Sequence, residues 1–472
     1  MVLLPGHNCL VLIALALTIA TIAPLLPSAF SACRIKDSGR PAVCGFVEVP
    51  EDRANAASRM ISLHTVVFPA QSRTPRADPI LFIAGGPGQG AASLGALVLR
   101  LLDGIDRDRS VILVDVRGTG ASNPLTCQET GRVMRGARNE SFDRCLASLT
   151  TRGDLRHYTT SNIVADLEEV RRALGIEQVD LVAVSYGTRV AVEYLLTYPS
   201  HVRAAVLRGA DPMDGKTFLH ADRGAETSLQ AILADCEHER SCSMAFPSLR
   251  REAASIPQLL ARQARVVEVT DPQTSKQRLL DAGYPLYHDL LYALMLDEVG
   301  RREVPGVIHR IATGGVGALA RIAARDLGSY DDISAGLYYS VTCAEDEPRL
   351  TEAERMEIAS LETGGQQPDD RCSVWPRPEP LPPPIVLKNV GVPILVVSGA
   401  DDPATPPLGA APLAAQLGAR HLVLPAGSHT PLFPGCAARL VREFLEKGST
   451  NAIDARCLAS SKHQEFIIRR DR

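Results

Sequence analysis

The chain has 472 residues, of which 45% are hydrophobic, so it can bury a large core and is longer than a simple α/β domain requires. Its 50 basic and 54 acidic side chains leave a formal net charge of −4, which excludes the basic field typical of nucleic-acid binding. One domain with a sizeable insertion, or two domains, is expected.

Residues 1–32 have the pattern of a signal peptide. An uncharged apolar run at 9–23 is followed by prolines and small residues up to Ala32. The run is shorter than the ~20 residues of a membrane-spanning helix, so no stable span is expected after signal removal. We therefore predict export to the periplasm or the medium. Residues 30–33 also resemble a lipoprotein box, which leaves lipid anchoring at Cys33 as an alternative.

The cysteines predict disulfide bonds. Of 11 cysteines one lies in the signal segment, which leaves ten, an even number in a chain expected to be exported. Proximity along the sequence predicts the pairs Cys33 with Cys44, Cys127 with Cys145, Cys236 with Cys242, Cys343 with Cys372, and Cys436 with Cys457. The spacings lack the C-x-x-C repeats and clustered histidines of zinc sites, so no zinc site is expected. No other metal or organic cofactor is expected either.

Strand and helix patterns alternate over the first half of the exported chain. A hairpin is predicted from residues 45–50 and 60–68, where apolar residues alternate in the second strand. Continuous apolar runs at 79–84, 111–114, 179–184 and 204–207 indicate parallel strands covered on both faces, and helical patterns occupy 91–102, 161–174 and 188–198. This alternation predicts an α/β fold with a mostly parallel central sheet and helices on both faces.

The alternation is interrupted once. Residues 212–385 are mostly helical and end in a proline-rich linker, which predicts an inserted cap domain. The pattern resumes with a strand at 392–397, a helix at 407–417, a strand at 420–424 and a helix at 431–445. The sequence thus predicts a core built from residues 33–211 and 386–472.

Ser185 ends an apolar run where a helical pattern begins. Ala183 and Gly187 are small residues two positions before and after it, as a nucleophile elbow requires, because strand and helix approach closely there. The usual pattern is G-x-S-x-G, and Ala183 replaces the first glycine. A buried serine in a tight turn is the alternative interpretation.

A serine hydroxyl becomes a useful nucleophile only when an imidazole removes its proton and a carboxylate orients that imidazole. Asp402 and His429 follow the last two predicted strands, in the order and at the sheet edge that this chemistry needs. Asp402 is preferred to Asp401 because it immediately precedes a proline turn. A surface-loop role is the alternative for His429.

Acyl chemistry also needs N–H donors for the oxyanion. A glycine-rich loop follows the predicted strand 79–84, and the N–H of Gly85 or Gly86 together with that of Tyr186 are the candidates for this oxyanion hole. An ordinary glycine-rich turn is the alternative.

Four segments together resemble one family. They are Gly-Gly-Pro-Gly at 85–88, Asp-Val-Arg-Gly-Thr-Gly-Ala-Ser at 115–122, Ser-Tyr-Gly-Thr-Arg at 185–189 and Asp-Pro-Ala-Thr-Pro at 402–406. The chain is similar over nearly its whole exported length to secreted tripeptidyl aminopeptidases and proline iminopeptidases, which are serine peptidases of the α/β-hydrolase fold with a helical cap. Proline iminopeptidases usually have a histidine before the glycines, where this chain has Ala84.

The resemblance implies cleavage of short peptides from a free amino end, with acidic cap side chains holding the substrate ammonium. Glu345 is the predicted ammonium-binding residue, held by a disulfide bond at Cys343, and a solvated acidic loop is the alternative. A carboxylesterase or lipase-like hydrolase of the same fold, acting on a small ester, is the second functional hypothesis. An inactive envelope binding protein is the third, and the sequence does not indicate an oligomeric state.

Overall fold

A computed structural model describes residues 30–468 except 103, 128–139, 264–265, 271–276, 327–332, 364–370, 431–432, 434 and 452. Most of the predicted signal peptide, residues 1–29, lies outside the described residues.

A nine-stranded sheet forms the centre of the protein. Its strands are β1 (Ser31–Arg34), β2 (Pro41–Pro50), β3 (Met60–Phe68), β4 (Ile80–Ile83), β5 (Val111–Val114), β6 (Val179–Val184), β7 (Val202–Arg208), β10 (Ile394–Gly399) and β11 (Arg420–Leu424). They are ordered β1-β2-β3-β5-β4-β6-β7-β10-β11. The strands from β1 to β3, and β3 with β5, pair antiparallel, whereas β5, β4, β6, β7, β10 and β11 are parallel to one another.

Helices cover both faces of this sheet, which is why β4 and β5 are apolar along their whole length and β6 is apolar except at Asp180. One face is packed by α2 (Glu140–Thr150), α3 (Thr160–Ala173), α4 (Tyr186–Thr197) and α12 (Pro407–Leu417), and the other by α1 (Gly95–Leu101) and α13 (Cys436–Lys447). The α/β-hydrolase architecture predicted from the sequence is therefore the one observed. Helix α13 begins at Cys436, later than the predicted 431.

The segment between β7 and β10 is mainly helical. It contains α5 (Thr217–His238), α6 (Arg240–Ala245), α7 (Leu249–Gln263), α8 (Tyr284–Met295), α9 (Glu298–Asp326), α10 (Ala335–Val341) and α11 (Glu352–Thr363), and a hairpin of β8 (Val266–Thr270) and β9 (Gln277–Asp281). The helices from α5 through α9 pack around a hydrophobic cluster of their own. Helix α10 and Trp375 pack instead into the core of the main domain, so this part of the predicted cap is integrated with the sheet domain.

Five disulfide bonds join the cysteines in the pairs expected from sequence proximity. Three of these bonds lie within the sheet domain, namely Cys33–Cys44, Cys127–Cys145 and Cys436–Cys457. The bond Cys236–Cys242 joins α5 to α6. Within the described ranges, every helix is too short or too polar to cross a bilayer.

Candidate active site

Ser185 lies in a sharp turn between β6 and α4. Its backbone has φ 55° and ψ −133°, a left-handed conformation that costs a non-glycine residue free energy and is typical of functional sites. Gly187 makes this turn possible, because a Cβ there would lie 2.5 Å from the carbonyl oxygens of Ile83 and Ala84. Ala183 is fully buried in β6, so alanine is accommodated where the usual motif has glycine. The geometry is that of a nucleophile elbow.

Asp402 and His429 are brought together from loops that follow β10 and β11. His429 Nδ1 lies 3.0 Å from both carboxylate oxygens of Asp402. The backbone N–H groups of Ala404 and Thr405 donate to Asp402 Oδ1 at 2.9 Å, and Thr405 Oγ1 donates to Oδ2 at 2.8 Å. The Asp402 carboxylate is therefore fixed on every side.

Asp402 is fully buried, and its surroundings keep it ionised. Burial alone would raise the pKa of this carboxyl, but the charge and hydrogen bond of His429, the nearby Arg208 and the Thr405 N–H outweigh burial and lower the pKa to about 2. An ionised Asp402 requires His429 to carry its proton on Nδ1, which leaves the Nε2 lone pair available as a base.

Gly209 lies next to this pair and directly follows Arg208, the residue that hydrogen-bonds to the backbone of Ser185. The Ser185 N–H donates to the carbonyl of Arg208 at 3.0 Å. A Cβ on Gly209 would lie 3.3 Å from Cε1 of His429 and 3.3 Å from Oδ2 of Asp402. The imidazole of His429 thus lies next to the residue that follows the backbone partner of Ser185. No hydrogen bond joins the Ser185 and His429 side chains in the described structure, as is common before substrate tightens such contacts.

The glycine-rich loop lies against the serine. A Cβ on Gly85 would be 2.9 Å from Cβ of Ser185, so only glycine allows this approach without a shift of the loop. Gly86 and Tyr186 line the same cavity as Ser185, and their N–H groups make no hydrogen bond to another described residue. Tyr186 is the first residue of α4, where unbonded N–H groups and the helix dipole favour negative charge.

The cavity above Ser185 has a volume of about 90 Å³, the space of about three water molecules. Apolar and aromatic side chains from the inserted segment form its roof, including Phe218, Tyr292 and Tyr338. Acidic and basic side chains also line it, namely Asp211, Asp346 and Arg189. A substrate would therefore meet both an apolar surface and a charged cluster beside the serine.

Arg189 is the centre of this charged cluster. The guanidinium donates to Asp211 at 2.9 Å and to Asp346 at 2.8 Å, and lies 3.6 Å from Glu345. All four side chains are buried. Burial, offset only in part by Arg189, raises the pKa of Asp211 and that of Glu345. Three carboxylates thus surround one guanidinium. The sequence prediction missed Arg189, although it belongs to the Ser-Tyr-Gly-Thr-Arg motif.

The structure places Glu345 differently from the prediction. Its carboxylate accepts the N–H of Thr160 at 2.7 Å and the hydroxyl of Thr160 at 2.6 Å. It lines a second cavity, of about 270 Å³, on the far side of Arg189 from Ser185. The adjacent Asp346 lines the serine cavity instead. Glu345 thus does not line the serine cavity as predicted, because the segment is helical there and consecutive side chains point in different directions.

Arg117 lies outside the candidate active site. Its guanidinium donates to backbone carbonyls of Glu51 and His157 and to the carboxylate of Asp166, as expected for an arginine that ties loops together.

Comparisons with known proteins show the family of this chain. A family model described as the alpha/beta hydrolase fold matches residues 78–435. Serine protease Hip1 of Mycobacterium tuberculosis is 25% identical over 463 residues, covering 88% of this chain and 87% of that protein. Tripeptidyl aminopeptidase of Streptomyces lividans is 24% identical over 463 residues (89% and 84%), and carboxylesterase B of Mycobacterium tuberculosis is 25% identical over 462 residues (89% and 86%). The chain belongs to the alpha/beta hydrolase family, as a serine hydrolase of that fold.

Proposed function

We propose that the protein is an exported aminopeptidase that releases amino acids or short peptides from free peptide N-termini. Ser185 Oγ attacks the scissile carbonyl while His429 Nε2 takes its proton, and Asp402 holds the imidazole and stabilises its protonated form. The N–H groups of Tyr186 and of Gly86 or Gly85 bind the oxyanion. His429 then protonates the leaving amine, and water hydrolyses the acyl-enzyme by the same route.

The observation that carries the aminopeptidase proposal is the surplus of carboxylates beside the serine. Asp211, Glu345 and Asp346 share Arg189 as their direct partner, so an entering ammonium would find negative charge that the protein itself does not fully compensate. Uncompensated buried charge is costly, and a cationic substrate group would relieve that cost. Asp346 is the best-placed ligand, because it lines the serine cavity and only its Oδ1 bonds to Arg189 and Thr217.

The names of two relatives support a peptidase function. One is named a tripeptidyl aminopeptidase and another a serine protease, and each matches this chain over most of its length. The five disulfide bonds support export, since such bonds persist in oxidising compartments. Cell fractionation with detection of the full chain would test export directly.

The Asp346→Asn variant tests the substrate proposal. Loss of the buried charge partner should raise KM for a tripeptidyl p-nitroanilide with a free amino group about 30-fold. The N-acetylated tripeptide and a p-nitrophenyl ester should show changes below about 2-fold, because neither carries an ammonium. Glu345→Gln is the matched variant on the other side of Arg189. We expect it to raise KM for the free-amino substrate less than Asp346→Asn does.

Ser185→Ala controls for the nucleophile and should abolish both hydrolysis and labelling by a fluorophosphonate probe. Labelling retained in this variant would identify a different nucleophile. An equal rise of KM for free and acetylated substrates in Asp346→Asn would refute ammonium recognition.

A carboxylesterase is the second candidate. The aromatic roof of the serine cavity and the relative named carboxylesterase B favour it. Turnover of p-nitrophenyl esters together with no cleavage across a library of free-amino peptides would support the esterase over the aminopeptidase.

A further inference from the structure

Arg208 is a fully buried arginine at the carboxyl end of β7, next to the proposed catalytic residues. Its side chain is only 2% exposed, although nothing in the sequence pattern of the apolar strand 202–207 requires a cation at its end. Burying a cation without full compensation is costly, so its presence needs an explanation.

Arg208 contacts the framework of all three proposed catalytic residues. Its carbonyl oxygen accepts the N–H of Ser185 at 3.0 Å. Its Nη2 donates to the carbonyl of Ser428 at 2.6 Å, the residue directly before His429. Its Nη1 lies 4.0 Å from Oδ2 of Asp402 and also donates to the carbonyl of Val397 in β10 at 3.4 Å.

The guanidinium is only partly satisfied in this position. Its Nε has no hydrogen-bond partner among the described residues. Burial lowers the pKa of Arg208, against the attraction of Asp402 and Glu298. A neutral side chain could fill the space and bond to carbonyls without this cost, so a role in packing alone does not account for the charge.

We propose that Arg208 is a positioning residue that acts on the reaction through Asp402 and His429. Its N–H groups tie the loop of His429 to β10, and its charge lies 4.0 Å from the carboxylate that bonds to the imidazole. This inference rests on the proposed roles of Ser185, His429 and Asp402, but not on whether the substrate is a peptide or an ester.

The charge has a predictable effect on His429. The charged groups that face Arg208 are Asp402 and Glu298, and Asp402 in turn bonds to His429. A cation there repels a second positive charge on the imidazole. Removing the cation should therefore move the acidic limb of the pH–rate profile to higher pH.

The test measures the rate at which a fluorophosphonate labels Ser185 as a function of pH. Arg208→Met keeps the length of the side chain without its charge or donors. We expect its labelling rate to fall about 100-fold, because the loop of His429 loses its anchor. The acidic limb of the pH profile should move up by about 1 pH unit. Arg208→Lys keeps the charge but loses the two-pronged bonding, so its rate should fall while its acidic limb stays at the wild-type pH.

Arg109→Met is the matched control. Arg109 is equally buried, but it pairs with Asp78 and Asp180 away from the serine cavity. Its labelling profile should equal that of the wild type. The proposal is overturned if the acidic limb of Arg208→Met does not move, or if Arg208→Lys shifts it as far as the methionine does. Should the methionine variant not fold, Arg208→Gln, which also lacks the charge, takes its place in the same comparison. Wild-type protein that shows no labelling of Ser185 would instead refute the proposed function.

Discussion

Two adjacent aspartates after β10 have entirely different surroundings. Asp402 is fully buried and bonds to His429 and to the turn that follows it. The carboxylate of Asp401 faces the other way, 2.9 Å from Nε2 of His463 and 3.6 Å from Arg301. The sequence preference for Asp402, based on the proline turn after it, agrees with these contacts. The two residues therefore provide a controlled comparison within one loop.

Asp402→Asn should lower kcat for a p-nitrophenyl ester by about 10⁴-fold. The amide would present a donor to His429 and so favour the imidazole tautomer that cannot accept the serine proton. KM should change little, because Asp402 does not line the substrate cavity. Steady-state kinetics at neutral pH would measure both constants.

The control for this substitution is Asp401→Asn. It removes the same charge one residue away, and its kcat should stay within about 2-fold of the wild type. Equal losses in the two variants would show that the loop needs negative charge rather than an oriented imidazole.

At the scale of single elements, a tight constraint on the active site is the crossing of β6, α4 and the end of β4. Gly187 in the first turn of α4 packs directly on the backbone of Ile83 and Ala84. The glycine-rich loop continues from this point to Ser185. One close backbone contact thus fixes both the nucleophile and its proposed oxyanion donors.

Gly187→Ala should lower the free energy of unfolding by about 1–3 kcal/mol, because a Cβ at 2.5 Å from two carbonyl oxygens forces strand and helix apart. It should also lower kcat, since the turn of Ser185 moves with α4. Urea denaturation and ester hydrolysis measure the two effects.

Gly306→Ala provides the comparison, because Gly306 lies inside α9 and a Cβ there has no neighbour closer than 3.8 Å. This variant should gain up to about 1 kcal/mol from helix propensity. If Gly187→Ala is as stable as the wild type, or gains stability as Gly306→Ala does, the close-packing argument is contradicted.

The elements were largely predictable from the sequence, and the charged cluster was not. Periodicity located β6, β11 and α12 because each is a strongly patterned segment of the sheet domain. The direction of the side chains at 345 and 346 depends on how the inserted segment packs on α4, which no local pattern records. The same is true of Arg208, since a charge at the end of an apolar strand suggests exposure until the neighbouring loops are placed.

At the scale of the whole molecule, the C-terminal segment 457–468 links the sheet domain to the hydrophobic cluster formed by α5 to α9. Cys457 fixes the start of this segment to α13 in the sheet domain. Further along, Phe466 is buried in the hydrophobic cluster of α5 to α9 and lies under the guanidinium of Arg301. The N–H of Ile467 donates to the carbonyl of Arg302 at 3.0 Å. The segment therefore ties the inserted helices to the sheet domain beside Asp401.

Phe466→Ala should weaken this tie selectively. Truncating a buried phenylalanine costs about 3 kcal/mol, and here the loss falls on the cluster of α5 to α9. Limited trypsin digestion should therefore cut within residues 217–326 earlier than in the wild type, while the sheet domain with Ser185 resists. Phe46→Ala is the matched control, because Phe46 is 49% exposed on β2 and its loss should cost less than about 0.5 kcal/mol. If both variants are digested at the same rate and at the same sites, the C-terminal segment does not stabilise the inserted helices, and the sheet domain alone must hold them over Ser185.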